Sequence, residues 1–523
     1  MSTDARALIV GGGIAGLAAA ALLIRDAGWP GRRIEVLEQG ATFGGSLDGG
    51  GDPTHGYVIR GGRMLEPHFG CTFDLFRDIP SLATPGLSVT DEIHAFTRRH
   101  VTSSRCRLVR GRRGQEAPAL QLSIRDRFNL VRLAWTREEA LGATRIETWF
   151  GPHFLASNFW FMWASMFAFQ PWHGVAEFRR YMLRFMHLLP GFNRLEGIIR
   201  TPLNQYDSLV RPLTHWLATQ GVALRPGVRV TDLRLAREDG ALAPAALALT
   251  DEGANPRELE LGTQDLLIVT PGSMTEHSSL GTMDTPPPAP VPSGGAWDLW
   301  ERLARHGPAF GRPSVFRGDV ARTQWTSFTL TLRDRAFFDF MEGFTGNAAG
   351  TGGLVTFPES GWLLSVVLPR QPHFDGQPAD VQVCWGYALH PMRDGDAVCK
   401  AMTDCSGREI LRELLFHLPM DEATAARVMG TATCIPCAMP WVTSQFMPRL
   451  PGDRPQVLPP GTRRIALVGQ FCEQPEDTVF TVEYSVRSAQ AAVYGLCAPG
   501  RTPTPLYRGW RDPRVVLAAL RAR

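Results

Sequence analysis

The opening of the chain alternates apolar runs with glycine in a way that predicts three elements. Ala7-Leu8-Ile9-Val10 is a short apolar strand, Gly11-Gly12-Gly13-Ile14-Ala15-Gly16 a turn, and Leu17–Ile24 an Ala/Leu-rich helix. Arg33–Leu37 reads as a second strand ending at Glu38, which completes a unit of βαβ length. Two further apolar strands come late, Asp265–Thr270 before Pro-Gly-Ser and Arg464–Gly469, with a helix over Thr481–Leu496. Between them the pattern predicts a Gly-rich loop over Gly40–Gly62, a helix over Glu66–Phe76 and an aromatic, buried helical stretch over Thr144–Arg200. An amphipathic helix over Tyr206–Thr219 follows, then a strand near Val228–Leu233, a Pro-rich linker over Thr285–Ser293, strands within 350–390 and a helix over Arg408–His417.

The fold class that fits is α/β: a discontinuous Rossmann-like FAD-binding domain with an inserted α+β substrate domain and helical regions. We divide it into residues 1–140 and 201–285 of the nucleotide-binding fold, an aromatic helical segment 141–200, a substrate domain 286–455, a return to the first domain over 456–496, and a C-terminal basic helix 497–523. A chain of 523 residues is long enough for several packed subdomains.

Composition changes this picture little. A net charge of +3 gives no global field that would point to nucleic acid. Phe 28 and Trp 14 outnumber Tyr 7, which fits a large apolar interior or pocket equally well. Nine scattered cysteines read as reduced thiols; Cys434 and Cys437 have CxxC spacing, but no second pair completes a zinc site, so no metal is expected. The N-terminus lacks the features of a signal peptide, and no apolar run is long enough to span a membrane, so a cytoplasmic location is expected.

The pattern Gly11-x-Gly13-x-x-Gly16 carries a mechanism. Gly11 permits the tight turn, Gly13 lets backbone approach a pyrophosphate, Gly16 lets helix pack on sheet, and the helix N-terminus at Ile14 and Ala15 faces the negative charge. Glu38, with Gln39 beside it, is the expected acceptor for a ribose hydroxyl. Gly44-Gly45-Ser46 occupies the place where FAD proteins carry a Gly-Gly loop, and no second well-formed GxGxxG exists for a nicotinamide. FAD is therefore the expected cofactor. Gly61, Gly62, Arg63, Val230, Thr270, Ser273, Gln470 and Thr481 are the further candidates to hold it.

Blocks along the chain resemble one family. They are Gly61-Gly62-Arg63-Met64-Leu65-Glu66-Pro67-His68-Phe69, Asn158–Trp163, Met166–Trp172, Asn204-Gln205-Tyr206, Gly350–Phe357, Gln371-Pro372-His373-Phe374 and Gly469–Arg487. The chain is similar in these to the oleate hydratase family, also called myosin-cross-reactive antigens. The resemblance implies an FAD-dependent hydro-lyase that adds water to the cis double bond of a free fatty acid such as oleate, giving a hydroxy acid of the 10-hydroxystearate type with no net redox change. It implies that Tyr206 protonates the alkene; on its own that residue reads as a helix tyrosine with a hydrogen-bonded hydroxyl. The family carries a Glu directly after the Arg of Gly-Gly-Arg to activate water, and here that position is Met64, which cannot accept a proton. Glu66 reads equally as a first-turn helix carboxylate or as a catalytic group, and Arg63 as a charge beside the flavin. Thr443, Gln445 and Arg449 are candidates for the substrate carboxylate, against the plainer reading of a surface turn.

Leu506–Arg523 mixes apolar and Arg residues and reads either as an amphipathic helix at the inner membrane surface or as a docked terminal helix. Family members carry an arm before the first strand; its shortness here favours a monomer over a homodimer. Two other readings stand beside the hydratase: a flavin-dependent lipid or isoprenoid oxidoreductase, and a lipid-binding protein without turnover, which Met64 motivates.

Overall fold

The computed structural model describes residues 5–62, 64–251, 256–289 and 294–522. Arg63 and the last part of the Pro-rich linker, Pro290–Ser293, lie outside the described residues.

The five-stranded sheet that opens the fold is wholly parallel. Its order is Ile465–Leu467, Leu266–Val269, Ala7–Val10, Ile34–Leu37, Ala223–Arg225. The three central strands are near-continuous apolar runs because both faces are covered. The helix Ile14–Arg25 packs against the helix Val482–Cys497, and its run of four alanines permits the close approach. Strands from the beginning, middle and end of the chain thus share one sheet. The Arg6–Asp265 ion pair at 2.8 Å ties the first strand to the third segment.

The second large sheet has eight strands. In order they are Ser279–Leu280, Ala432–Met439, Trp325–Leu332, Gln382–Ala388, Leu364–Leu368, Gly353–Thr356, Cys106–Arg110 and Arg113–Glu116. The last two depart from the expected division. Residues 106–116 fall in the segment assigned to the nucleotide-binding domain, yet Leu108 pairs with Thr356 and the hairpin extends the eight-stranded sheet. The Asn347 side chain fixes this edge by accepting from the backbone N–H groups of Arg105 (2.6 Å) and Cys106 (3.2 Å).

Side chains of this sheet alternate between two cores. Phe328, Leu330, Val366 and Cys384 face a core under the helices Ala336–Thr345 and Gly407–Phe416. Trp325, Val367, Trp385 and Tyr387 face the main core, towards the nucleotide-binding sheet. A short hairpin, Gly49–Asp52 and Gly56–Ile59, crosses the sheet, its Tyr57 and Ile59 N–H groups donating to Thr331 and Thr329 hydroxyls.

The aromatic stretch folds as the helices Asn158–Phe167 and Val175–Arg184 and the tighter turns of Met186–Arg194. Ser157 caps the first by accepting from Trp160 N–H at 3.1 Å. Edge and stacked ring pairs such as Phe159–Trp163 (5.3 Å) and Phe167–Phe185 (5.1 Å) make it one buried block. The C-terminal helix is shorter than expected, Pro513–Arg521, and lies against Met186–Arg194 with no residue fully buried. Among the described residues no helix is long and apolar enough to cross a membrane.

Candidate active site

A cleft of about 410 Å³ opens at the C-terminal ends of the parallel strands. Its floor is the glycine turn. Gly11 has φ +105°, and a Cβ there would sit 2.9 Å from the Thr270 side chain. A Cβ on Gly16 would lie 2.0 Å from the Gly11 carbonyl oxygen, so Gly16 stands behind the cleft as a packing residue. The space beside Gly13 is open except for the Gly45 backbone at 3.9 Å. No side chain caps the helix Ile14–Arg25, which leaves its first N–H groups to meet an anion.

Glu38 ends its strand with both carboxylate oxygens engaged, accepting from Gly12 N–H and Gly40 N–H at 2.7 Å each. Burial raises its pKa, and those N–H groups oppose the rise. Each oxygen keeps a lone pair for a ligand hydroxyl. Gly44 N–H donates to the Gly12 carbonyl, so the Gly-Gly loop is tied to the turn. The lining includes Gln39, Gly45, Ser46, Val230, Thr270, Ser273, Gln470 and Thr481. The Thr270 hydroxyl is buried with no hydrogen-bond partner among the described residues, as expected where a ligand supplies one. These features suit a dinucleotide.

Residues that sequence reasoning missed also line the cleft. Glu276 accepts from the Ala296 and Trp297 N–H groups and from Gln39 Nε2 (3.1 Å), and Arg60 pairs with Asp48 at 3.1 Å. No local motif marks either residue.

Phe480, Thr481 and Val482 form a wall shared with a smaller, mostly apolar chamber of about 80 Å³. Phe167, Tyr181, Phe185, Leu188, Trp325 and Trp385 line it, with Gly61, Gly62, Met64 and Glu66. A third recess of about 50 Å³ shares Gly61, Gly62, Val367 and Trp385 with that chamber, and Leu47 and Asp48 with the cleft. Gly61-Gly62 therefore stands where the apolar spaces meet. Mutual backbone hydrogen bonds between Leu65 and Ile199 hold this loop against the 199–206 segment.

Tyr206 begins a π-helical turn, Tyr206–Val210, a form that recurs at functional sites. It is half-buried and lies outside the lining of the three cavities, while Asn204 and Gln205 beside it line the third. Its pKa is raised chiefly by burial, with Arg211 opposing. A polar clip fixes the turn: Asn204 Nδ2 donates to Asp207 at 2.6 Å, and Arg211 pairs with Asp207 at 2.9 Å and Asp375 at 2.8 Å.

Glu66 is buried and paired. Arg184 lies 2.7 Å away, His68 Nδ1 2.9 Å and His187 Nε2 3.4 Å. Burial alone would raise its pKa, but the histidine hydrogen bonds and the Arg184 charge hold it at about 2. A carboxylate so stabilised is a poor proton acceptor at neutral pH, and its geometry is that of a structural hub. Met64 is half-buried in the same chamber.

Thr443, Gln445 and Arg449 are not at a surface turn and line none of these cavities. Thr443 Oγ1 donates to Thr323 O at 2.9 Å and Gln445 Nε2 to Val442 O at 3.0 Å. Arg449 pairs with Glu177 (2.7 Å), Glu138 (3.4 Å) and Glu473 (3.4 Å) in a buried ion cluster with Arg180 and Arg454. The third recess, by contrast, is lined by two cations, Arg200 and Arg370, the second hydrogen-bonded to His100; Arg200 differs in its surroundings. Its Nη2 is shielded from solvent without a hydrogen-bond partner, and no carboxylate pairs with it among the described residues. Burial lowers its pKa to about 10. The nearby Arg107 is likewise lowered, to about 9 by burial, and donates to the Phe192 and Met162 carbonyls.

Comparison with known proteins adds an independent line. The model of the MCRA family matches residues 4–494. A protein of Streptococcus pyogenes serotype M49 (strain NZ131) named oleate hydratase is 40% identical over 499 residues, covering 93% of this chain and 84% of that protein. One from Lactiplantibacillus plantarum named linoleate hydratase is 30% identical over 558 residues, covering 98% and 97%. Among solved structures, cyclohexylamine oxidase from Brevibacterium oxydans IH-35A superposes with a TM-score of 0.54 at 12% identity, over 94% of this chain and 98% of that one. At that identity the likeness speaks for the shared fold alone.

Proposed function

The chain belongs to the MCRA family, and from that premise we propose that it is a fatty-acid hydratase, a hydro-lyase acting on an unsaturated fatty acid with FAD bound in the glycine-floored cleft. The observation that carries this reading is the match to two hydratases over nearly the whole chain. An apolar chamber abutting the cleft at Phe480–Val482 supports it. The oxidoreductase alternative rests on likeness of fold alone and fits less well.

Tyr206 is the group we assign to the alkene. Its O–H bond breaks as a C–H bond forms at one alkene carbon. Water adds its oxygen to the neighbouring carbon, and the surplus proton returns to the Tyr206 oxygen through solvent. An unactivated alkene is a very weak base, so the work lies in holding it against the hydroxyl in a dry site. FAD held by Gly13, Glu38 and Gly45 would supply a ring face, most electron-rich in the reduced flavin, that favours developing positive charge without net redox change. Met64 offers no base, and Glu66 is held by Arg184, so water attacks with little base assistance.

The fatty-acid carboxylate needs a charged donor. Arg200 lines a recess and has a donor without a partner, and we assign the carboxylate to it in place of Thr443, Gln445 and Arg449, whose donors are engaged elsewhere. We further take the protein to be cytoplasmic, a reading supported by its nine free cysteines, and keep the monomer as the expectation to be checked by sedimentation.

The test is to incubate the purified protein with FAD and oleic acid and analyse the extract by mass spectrometry. A product heavier by one water is expected. A desaturated or oxidised product with bleached flavin would overturn the reading in favour of the oxidoreductase.

A further inference from the structure

The helix Ile124–Trp135 turns its apolar stripe the wrong way for a core helix. It is firmly set, with a capping box between Ser123 and Asp126. Yet Ile124 is 89% exposed, Phe128 64%, Val131 40% and Trp135 85%, while Leu133 on the opposite side is buried. At 3.6 residues per turn, the spacing i, i+4, i+7, i+11 gathers these four side chains within an arc of about 60°. Such a stripe ordinarily faces the core; here it faces solvent.

Arginines border the stripe on both sides. Arg125 and Arg132 project about 80–100° to one side and Arg127 about 60° to the other. The single acid of the helix, Asp126, is buried and engaged with Ser123 and with His153 Nδ1 at 2.7 Å. Arg127 donates to the Ala522 carbonyl at 3.2 Å, which joins this helix to the C-terminal helix Pro513–Arg521. That helix exposes Leu517 and Leu520 and lies on Met186–Arg194, whose Leu188 lines the apolar chamber. The helix that bears the stripe is thus joined to the chamber wall through the C-terminal helix and the Met186–Arg194 turns.

We infer that the helix Ile124–Trp135 is a docking surface for an anionic phospholipid bilayer. Ile124, Phe128 and Trp135 enter the acyl boundary while the exposed Arg125 and Arg132, the latter steadied over the Trp149 ring at 4.2 Å, meet lipid phosphates. A second copy of the chain fits this face poorly, because a two-fold contact would set the same arginines against one another. The purpose of the docking, to receive a fatty acid from the membrane, rests on the hydratase reading; the docking itself does not.

The experiment is flotation of the full chain with vesicles of phosphatidylglycerol or of phosphatidylcholine. The wild type is compared with the triple variant Ile124→Ser, Phe128→Ser, Trp135→Ser and the double variant Arg125→Gln, Arg132→Gln. Partition onto phosphatidylglycerol vesicles is expected, falling at least about tenfold in the triple variant. The double variant and added salt should each weaken it. Turnover of cyclodextrin-delivered oleate should stay unchanged, since these side chains line none of the three cavities, and the melting temperature of the triple variant should not fall. A wild type that stays off phosphatidylglycerol vesicles, or a triple variant that binds as the wild type does, would overturn the inference. So would sedimentation showing that the triple variant loses self-association while its vesicle partition is unchanged. If the wild type hydrates nothing yet partitions as described, the hydratase reading fails and the docking surface stands.

Discussion

Around the dinucleotide cleft the backbone makes the site, whereas around the apolar chamber side chains from widely separated segments make it. Gly11, Gly13 and Gly45 shape the cleft by what they lack, and Glu38 is locked by two N–H groups of the same turn region. The chamber takes Met64, Phe167, Leu188, Trp325, Trp385 and Phe480 from six stretches of chain. A cleft made of backbone fails abruptly when a Cβ intrudes. A chamber made of side chains changes by degrees, unless the altered group touches the reacting atoms or carries a buried charge.

Gly16→Val probes that contrast hardest. A Cβ 2.0 Å from the Gly11 oxygen cannot be accommodated, so bound flavin, read by its absorbance after gel filtration, should be lost. Tyr206→Phe should keep flavin and melting temperature while kcat falls by about 10²–10⁴-fold, the usual worth of a positioned acid. Glu66→Gln leaves buried Arg184 with only the longer Asp477 carboxylate contact at 3.9 Å and should cost about 2–4 kcal/mol in urea unfolding.

The same carboxylate predicts a pH dependence. Its folded pKa, about 2, lies below the ordinary value of 4.5. The stability it contributes is therefore present above pH 4.5 and is lost as pH falls towards 2. Glu66→Gln should flatten the slope of stability in that window; an unchanged slope would remove the carboxylate from the account. Arg200→Met should raise KM for oleate about tenfold, the loss of one charge-assisted contact, with kcat little changed. Met64→Leu should alter kcat by less than about threefold, because a thioether and an isobutyl group fill similar space and neither takes a proton.

The difference between the regions also decided what the sequence revealed. Strand, glycine turn, helix and Glu38 lie within one short segment, and local pattern sufficed to read them. The chamber was legible only through resemblance, since nothing local tells Trp385 to meet Gly62. The 106–116 hairpin gave no local sign that it would join the eight-stranded sheet, because its partner, Thr356, is far along the chain. Arg449 looked like a free donor in a turn, yet the fold brings Glu177 to it. Arg200 gave no signal at all, because an unpaired half-buried cation is defined by what is missing around it. The stripe of Ile124–Trp135 has a helical period, but period alone does not say which way the face points.

The most direct test of the central claim is hydration of oleate in heavy-oxygen water mixed with deuterium oxide, followed by mass spectrometry of the product and spectroscopy of the flavin. The account predicts one heavy oxygen and one carbon-bound deuterium in the product, with the flavin's oxidation state the same before and after turnover. A product without the oxygen label, or one formed at the expense of flavin oxidation or reduction, would contradict it.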